Sequence, residues 1–176
     1  MRLLSLTTAM MALSSAAVGA SIPPPIAPAF DGQLQCYAPD VARKTCQSLA
    51  AYRQGRDGVI YNPATVLISQ TPAIAMTTVT PVTIKGEQVC GYVRPEDIDA
   101  GQFTINGVAA TPDQTKALRR TMTTAEMGLF GHEICTAYVA AGDGWTAKAS
   151  IDGAAQAAMD QKVIWVSPSA GFEVKP

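Results

Sequence analysis

The chain has 176 residues, with 13 basic and 14 acidic side chains, one histidine, four cysteines and a formal net charge of −1. Charged residues make up 15% and aromatics 6%, which leaves neither the basic patch nor the stacking groups that a nucleic-acid partner would need. A single histidine also excludes the His-rich catalytic zinc sites.

Met1-Arg2 supplies a short positive start, Leu3 to Val18 is apolar and uncharged, and Val18-Gly19-Ala20 places small residues where a signal peptidase reads them. Residues 1–20 are therefore expected to be a secretory signal peptide, cut before Ser21. The run is diluted with serine and threonine and shorter than the ~20 apolar residues of a spanning helix, so an uncleaved anchor is disfavoured. No transmembrane segment is expected once the signal is removed. Residues 21–34, opening with Ser21-Ile22-Pro23-Pro24-Pro25, read as an extended proline-rich leader, because proline interrupts helices and central strands alike.

The remaining span, 35–176, falls in the ~100–200 residue range of one domain. Pro39 to Arg53 reads as a first helix, with Ala42, Cys46, Leu49 and Ala50 at helical spacing and Gly55 as its stop. From Gly58 the pattern turns to β. Val59 to Tyr61 and Thr65 to Ile68 are split by Asn62-Pro63, while Ala73 to Thr80 and Val82 to Ile84 are split by Pro81; a proline within a run predicts an edge, a bulge or a strand boundary. Lys85-Gly86-Glu87 reads as a turn into a strand holding Cys90. Arg94 to Asp99 has three carboxylates without the alternating ligands and central glycine of a calcium loop, and reads as a solvated helical turn.

Asn106-Gly107 between apolar residues is a hairpin signal. Thr111-Pro112-Asp113-Gln114 carries an N-cap, a proline at the first helical position and a capping-box glutamine, so a second helix begins there, with Leu118, Met122, Ala125 and Leu129 as its apolar stripe. Glu133 to Val139 and Trp145 to Ile151 alternate as the two strands of a hairpin, the second with Trp145, Ala147, Ala149 and Ile151 on one face. Lys162 to Val166 is a last strong strand, followed by a short one at Phe172 to Val174. Hairpin signals outnumber alternating strand and helix. The fold class expected is α+β, a mainly antiparallel sheet with two principal helices, stabilised by disulfides.

Four cysteines in an exported chain imply two disulfides, for which three pairings exist. Cys36 with Cys46 and Cys90 with Cys135 are preferred: the first pair is close in sequence, and the second lies on predicted strands flanking the second helix. The chemically densest stretch is His132-Glu133-Ile134-Cys135. It begins like the metal-binding pattern His-Glu-x-x-His, but Thr136 stands where the second histidine would be, so no metal site is expected. His132 and Glu133, with Cys90 or Cys135, are the candidate residues for an acid/base or thiol site, although His132 and Cys135 would point to opposite faces of one strand. No nucleophile elbow, phosphate loop or Cys-x-x-Cys is present, and no cofactor is implied. The expectation is a periplasmic or secreted, non-enzymatic binding or envelope-associated domain. Its partner would be a protein or a small ligand in the envelope; the alternative is a small exported hydrolase or thiol enzyme using the residues just named.

Overall fold

A computed structural model describes residues 24–176. The signal segment 1–20 and residues 21–23 of the leader lie outside the described residues. A 3-10 turn at Pro24–Ile26 runs into a single helical turn, α1 (Ala27–Phe30). Then come β1 (Leu34–Tyr37), β2 (Thr45–Cys46), β3 (Ser48–Ala50), β4 (Arg53–Gln54), β5 (Ile60–Gln70), β6 (Ala73–Lys85) and β7 (Gln88–Tyr92). An excursion follows with α2 (Pro95–Ala100), β8 (Gln102–Ile105), β9 (Val108–Ala109) and α3 (Pro112–Glu126), the last extended by a 3-10 turn at Met127–Leu129. The chain closes with β10 (Glu133–Ala141), β11 (Gly144–Ile151), β12 (Ala154–Ala155), β13 (Gln161–Val166) and β14 (Glu173–Val174).

The α+β expectation is overturned. Among the described residues, eight strands close into an antiparallel barrel: β1, β3, β5, β6, β7, β10, β11 and β13 each pair with the next in sequence, and β13 pairs back with β1. There is one substantial helix, 18 residues from Pro112 to Leu129 counting its 3-10 end. Closure removes the exposed strand edges that an open sheet of this size would carry.

The helix expected at Pro39 to Arg53 is instead a tight loop and short strands. Asp40 and Thr45 exchange both backbone hydrogen bonds, the Asp40 carboxylate accepts from Arg43 N and Nε, and Lys44 has φ +54°, a conformation that no α-helix can pass through. Of the four apolar residues at helical spacing, Ala42 lies in the loop, Cys46 in β2, and Leu49 and Ala50 in β3. Ala50 faces the barrel interior opposite Gln35, and Leu49 faces outward beside the Cys36–Cys46 disulfide. Residues 24–30 are likewise helical rather than extended, and β1 begins at Leu34. Proline at φ near −65° suits the first turn of a helix as well as an extended segment. Burial decides between them: Ile26, with Ala29 and Phe30, packs into one end of the barrel against Tyr52, Ile60, Val89 and Trp165. Ile26 is fully buried, a placement worth roughly 1.5–3 kcal/mol.

Neither proline inside the β runs breaks its strand. Pro63 lies within β5, its carbonyl accepting from Ala51 N at 2.9 Å. Its missing N–H would face the same neighbour, where β3 has ended and β4 has not begun. The Asn62 side chain supplies the absent donor, Nδ2 giving to Ala51 O at 2.7 Å. Pro81 lies within β6 where that strand changes partner on one side, from β8 at Ile74 to Thr77 to β7 at Thr83 to Lys85. It therefore occupies a local edge.

The second helix starts as expected. Thr111 Oγ1 accepts from Gln114 N and Gln114 Oε1 accepts from Thr111 N. The Asn106-Gly107 hairpin also forms, with both residues at positive φ. The apolar stripe on α3 is only half-buried at Leu118, Met122 and Leu129, and Ala125 is exposed. The helix rests on the barrel rim and does not enter a core.

Disulfides join Cys36 to Cys46 and Cys90 to Cys135, and all four cysteines are bridged. The first bridge sits outside the barrel in a cluster with Leu34, Leu49, Ile164 and Phe172, over which the C-terminal segment returns as β14, parallel to β2. The second links directly opposed residues of β7 and β10 on the outer wall. Among the described residues no helix is long and apolar enough to cross a membrane.

Candidate functional site

Alternation along the eight strands decides what the barrel encloses. Opposed residues in the register share a face, so Gln35, Ala50, Ala64 and Thr78 point inward as one layer, and Tyr37, Ser48, Val66 and Met76 as the next. On the far wall Val89 opposes Thr136, Gly91 opposes Ile134, and Tyr138 opposes Ala147. The alternating face Trp145, Ala147, Ala149 and Ile151 is thus an interior face. An eight-stranded barrel is just wide enough to be filled by side chains or to hold one small ligand. Alanine, threonine and glycine at these inward positions leave space.

That space is a cavity of about 390 Å³. Its walls are largely apolar, from Val66, Ile68, Met76, Val82 and Ile134, with Thr78 and Thr136 between them. Gly91 belongs to the lining, and its missing side chain keeps the wall open, since a Cβ there would come 3.3 Å from Val82 Cγ1. A second interior space of about 290 Å³ adjoins it at Tyr37, Asn62 and Val66.

Deep in the cavity, three tyrosines from three distant strands and turns converge. Tyr37 Oη lies 2.6 Å from Tyr138 Oη, Tyr52 Oη lies 3.1 Å from Tyr138 Oη, and Gln35 Oε1 lies 3.0 Å from Tyr37 Oη and 3.2 Å from Tyr138 Oη. Gln35 is wholly buried, and its Nε2 has no partner among the described residues. Burial, reinforced by the neighbouring tyrosines, pushes the Tyr37 and Tyr52 hydroxyls well above the ordinary tyrosine range, so both stay neutral. Tyr37 and Tyr138 retain some accessible surface because they face the cavity. Below this layer the plug of residues 24–30 closes the barrel.

The other end opens beneath α2 and α3. Arg94, Asp97 and Ile98 from the α2 turn and Met122 and Glu126 from α3 line the mouth. Arg94 and Asp97 form an ion pair, with Arg94 Nε donating to Oδ2 at 3.2 Å, and Thr80 Oγ1 donates to the same oxygen at 3.3 Å. The three-carboxylate stretch read from sequence is therefore a helical turn whose Ile98 is buried and whose Asp97 fixes the rim. Arg119 Nη2 donates to Gly101 O at 3.3 Å and ties α3 to the end of α2. No residue of α3 is buried, which marks it as a lightly attached cover.

The residues singled out by sequence lie elsewhere. His132 Nδ1 is 2.5 Å from Asp152 Oδ2, both side chains about half exposed, and the contact holds the Asp152 carboxyl below the usual range. Glu133 turns away to Lys85, with Nζ to Oε1 at 2.7 Å. The His132 and Glu133 side chains thus engage different partners on the outer surface, with the Glu133 N–H donating to Asp152 Oδ1 at 2.9 Å, and neither residue lines the cavity. Cys90, Glu133 and Cys135 bring ligand-type atoms within 4.8 Å of one another. The two sulfurs are joined to each other, however, and offer no thiolate to a metal. The cavity residues Tyr37, Tyr52, Asn62 and Tyr138, and Gln35 buried behind them, carry no spacing signature. Their trace in the sequence is alternation: Gln35 and Tyr37 flank outward Cys36, and Thr136 and Tyr138 follow outward Cys135. The chain matches no protein-family model, no curated protein and no solved structure.

Proposed function

We propose that this chain is an exported, non-enzymatic binding protein that holds a small, mostly apolar molecule inside its barrel. The observation that carries the reading is the cavity of about 390 Å³, which is apolar along its walls and has one convergent polar layer at its floor. Ligand sites are concavities of roughly 300–1,000 Å³ with this division of labour between walls and a few placed polar groups. The outward surface supports it from the other side. There β10, β11 and β13 carry Glu133, Lys148 and Lys162, the first and last in ion pairs with Lys85 and Asp143, so this part of the outer wall presents charge to solvent. Export is supported by residues 1–20 of the sequence together with two disulfides, which persist in oxidising compartments.

The test uses N-phenyl-1-naphthylamine, an uncharged apolar fluorophore. Titrated into the mature protein it should brighten saturably at one site per chain. Thr136→Phe or Gly91→Val, each pointing a larger side chain into the cavity, should weaken this at least about tenfold while the far-ultraviolet circular dichroism stays unchanged. No saturable signal, or a signal indifferent to both substitutions, rejects the reading. Turnover in a broad hydrolysis screen that vanishes with His132→Ala would replace it with an enzyme.

A further inference from the structure

The floor of the cavity has an imbalance between protons and acceptors. Four short contacts link Gln35 Oε1 and the hydroxyls of Tyr37, Tyr52 and Tyr138, and each needs one proton to be a hydrogen bond. The three neutral hydroxyls carry three protons and Gln35 Oε1 carries none. The hydroxyl protons are therefore engaged within these contacts; the Gln35 Nε2 protons have no partner among the described residues but are wholly buried off the cavity lining, so the face shown to the cavity is lone pairs. Asn62 adds to the same side. Its Nδ2 is spent on the Ala51 carbonyl at 2.7 Å, which fixes the orientation of the amide, because a carbonyl can only accept. Asn62 lines the cavity, and its Oδ1 has no partner among the described residues. At the mouth, Arg94 is paired with Asp97, and the Glu126 carboxylate, also on the lining, has no ion-pair partner among the described residues. The charge left over at the entrance is thus negative.

Building on the binding function proposed above, we infer that the ligand is an apolar molecule with a neutral hydroxyl, an alcohol or phenol, seated hydroxyl-first so that its O–H donates to Asn62 Oδ1 beside the tyrosine layer. A carboxylate end is disfavoured twice, since it brings no proton to a floor of lone pairs and must pass Glu126. An ether of the same skeleton fills the walls equally well and lacks only the donor. A buried acceptor left unpaired costs more than one that was never desolvated, which is how sites of this kind tell a hydroxyl from its absence.

The experiment compares three probes on the mature protein, 4-propylphenol, 4-propylanisole and 4-propylbenzoate. Binding is followed by titration calorimetry and by the amide resonances of Val66, Thr78, Gly91 and Thr136. The phenol is expected to bind at least about tenfold more tightly than the anisole, with the benzoate weakest. In Asn62→Leu the preference for phenol over anisole should fall to within about twofold; if that variant does not fold, the three-probe order on the wild-type protein remains decisive. Anisole or benzoate binding as tightly as phenol, with the same cavity resonances moving, overturns the inference and leaves the binding function standing. If none of the three probes moves those resonances, both fall.

Discussion

Replacing Tyr138 by phenylalanine removes a single oxygen from the barrel interior, and the structure gives the expected effect in some detail. That oxygen meets Tyr37 Oη at 2.6 Å, Tyr52 Oη at 3.1 Å and Gln35 Oε1 at 3.2 Å. Without it the Tyr52 hydroxyl loses its one side-chain partner, and Gln35, wholly buried, keeps only Tyr37. Stranding buried polar groups costs about 1–3 kcal/mol, and for a domain of this size each kcal/mol lowers the melting temperature by about 2–4 °C. Tyr138→Phe should therefore melt about 3–8 °C below the parent protein. Tyr37→Phe leaves Tyr138 bonded to Gln35 and should cost less, and Tyr52→Phe, which breaks one 3.1 Å contact, least. The double variant Tyr37→Phe/Tyr138→Phe should be less destabilised than the sum of its parts, because the two share a bond. The assay is thermal unfolding at neutral pH by calorimetry, with circular dichroism as a second probe. If Tyr138→Phe melts within about 1 °C of the parent, or Tyr52→Phe is the most destabilised of the three, the hydroxyl layer does not hold the barrel as described.

Reducing or replacing the Cys90–Cys135 pair opens a loop with a sequence separation of 45, against 10 for Cys36–Cys46. On the chain-entropy model the losses are about 4 and about 3 kcal/mol, so denaturant unfolding of the two double-serine variants should rank the first as the weaker protein. Alkaline pH should act through the buried tyrosines. The folded state holds the Tyr37 and Tyr52 protons beyond the ordinary tyrosine value of 10.0. Their contribution is therefore complete below that pH and falls as pH climbs toward the folded values, by about 1.4 kcal/mol per pH unit for each. Absorbance of tyrosinate at 295 nm should accordingly rise in step with unfolding for these two; their ionisation with the fold intact would contradict the buried layer. Ile26→Ala should cost about 2–5 kcal/mol by leaving a hole in the plug, and equilibrium unfolding matching the parent within about 0.5 kcal/mol would show that the plug does not close the barrel.

The parts of the fold legible in the sequence are those written in local chemistry. The Thr111 capping box, the Asn106-Gly107 turn and the alternation of Trp145, Ala147, Ala149 and Ile151 each need only neighbouring residues to be read, and each sits in the structure where its pattern places it. Sequence and structure part where long-range closure overrides local preference. Ala42, Cys46, Leu49 and Ala50 fit a helix on spacing alone, but a barrel needs a strand between β1 and β5, and Ser48 to Ala50 provide it. Pro63 reads as a strand boundary because its compensation, the Asn62 side chain reaching Ala51 O, is a tertiary contact. The candidate site residues differ between sequence and structure for a related reason. His132, Glu133 and Cys135 are dense in functional groups along the chain, yet β10 sends Glu133 and Cys135 to the outer wall and His132, in the turn before it, pairs with exposed Asp152. The interior polar layer is assembled from Gln35, Tyr37, Tyr52 and Tyr138, over 100 residues apart at its extremes, and the distance between them in sequence conceals the layer until the barrel closes.

The central claim is that the working surface of this protein is the inside of its barrel. It is tested most directly by mapping N-phenyl-1-naphthylamine onto the amide spectrum of the mature protein. Shifts concentrated at Val66, Thr78, Gly91 and Thr136, with His132 and Glu133 unmoved, are what the structure predicts. Shifts confined to the His132–Asp152 surface, or none at saturating probe, would contradict it.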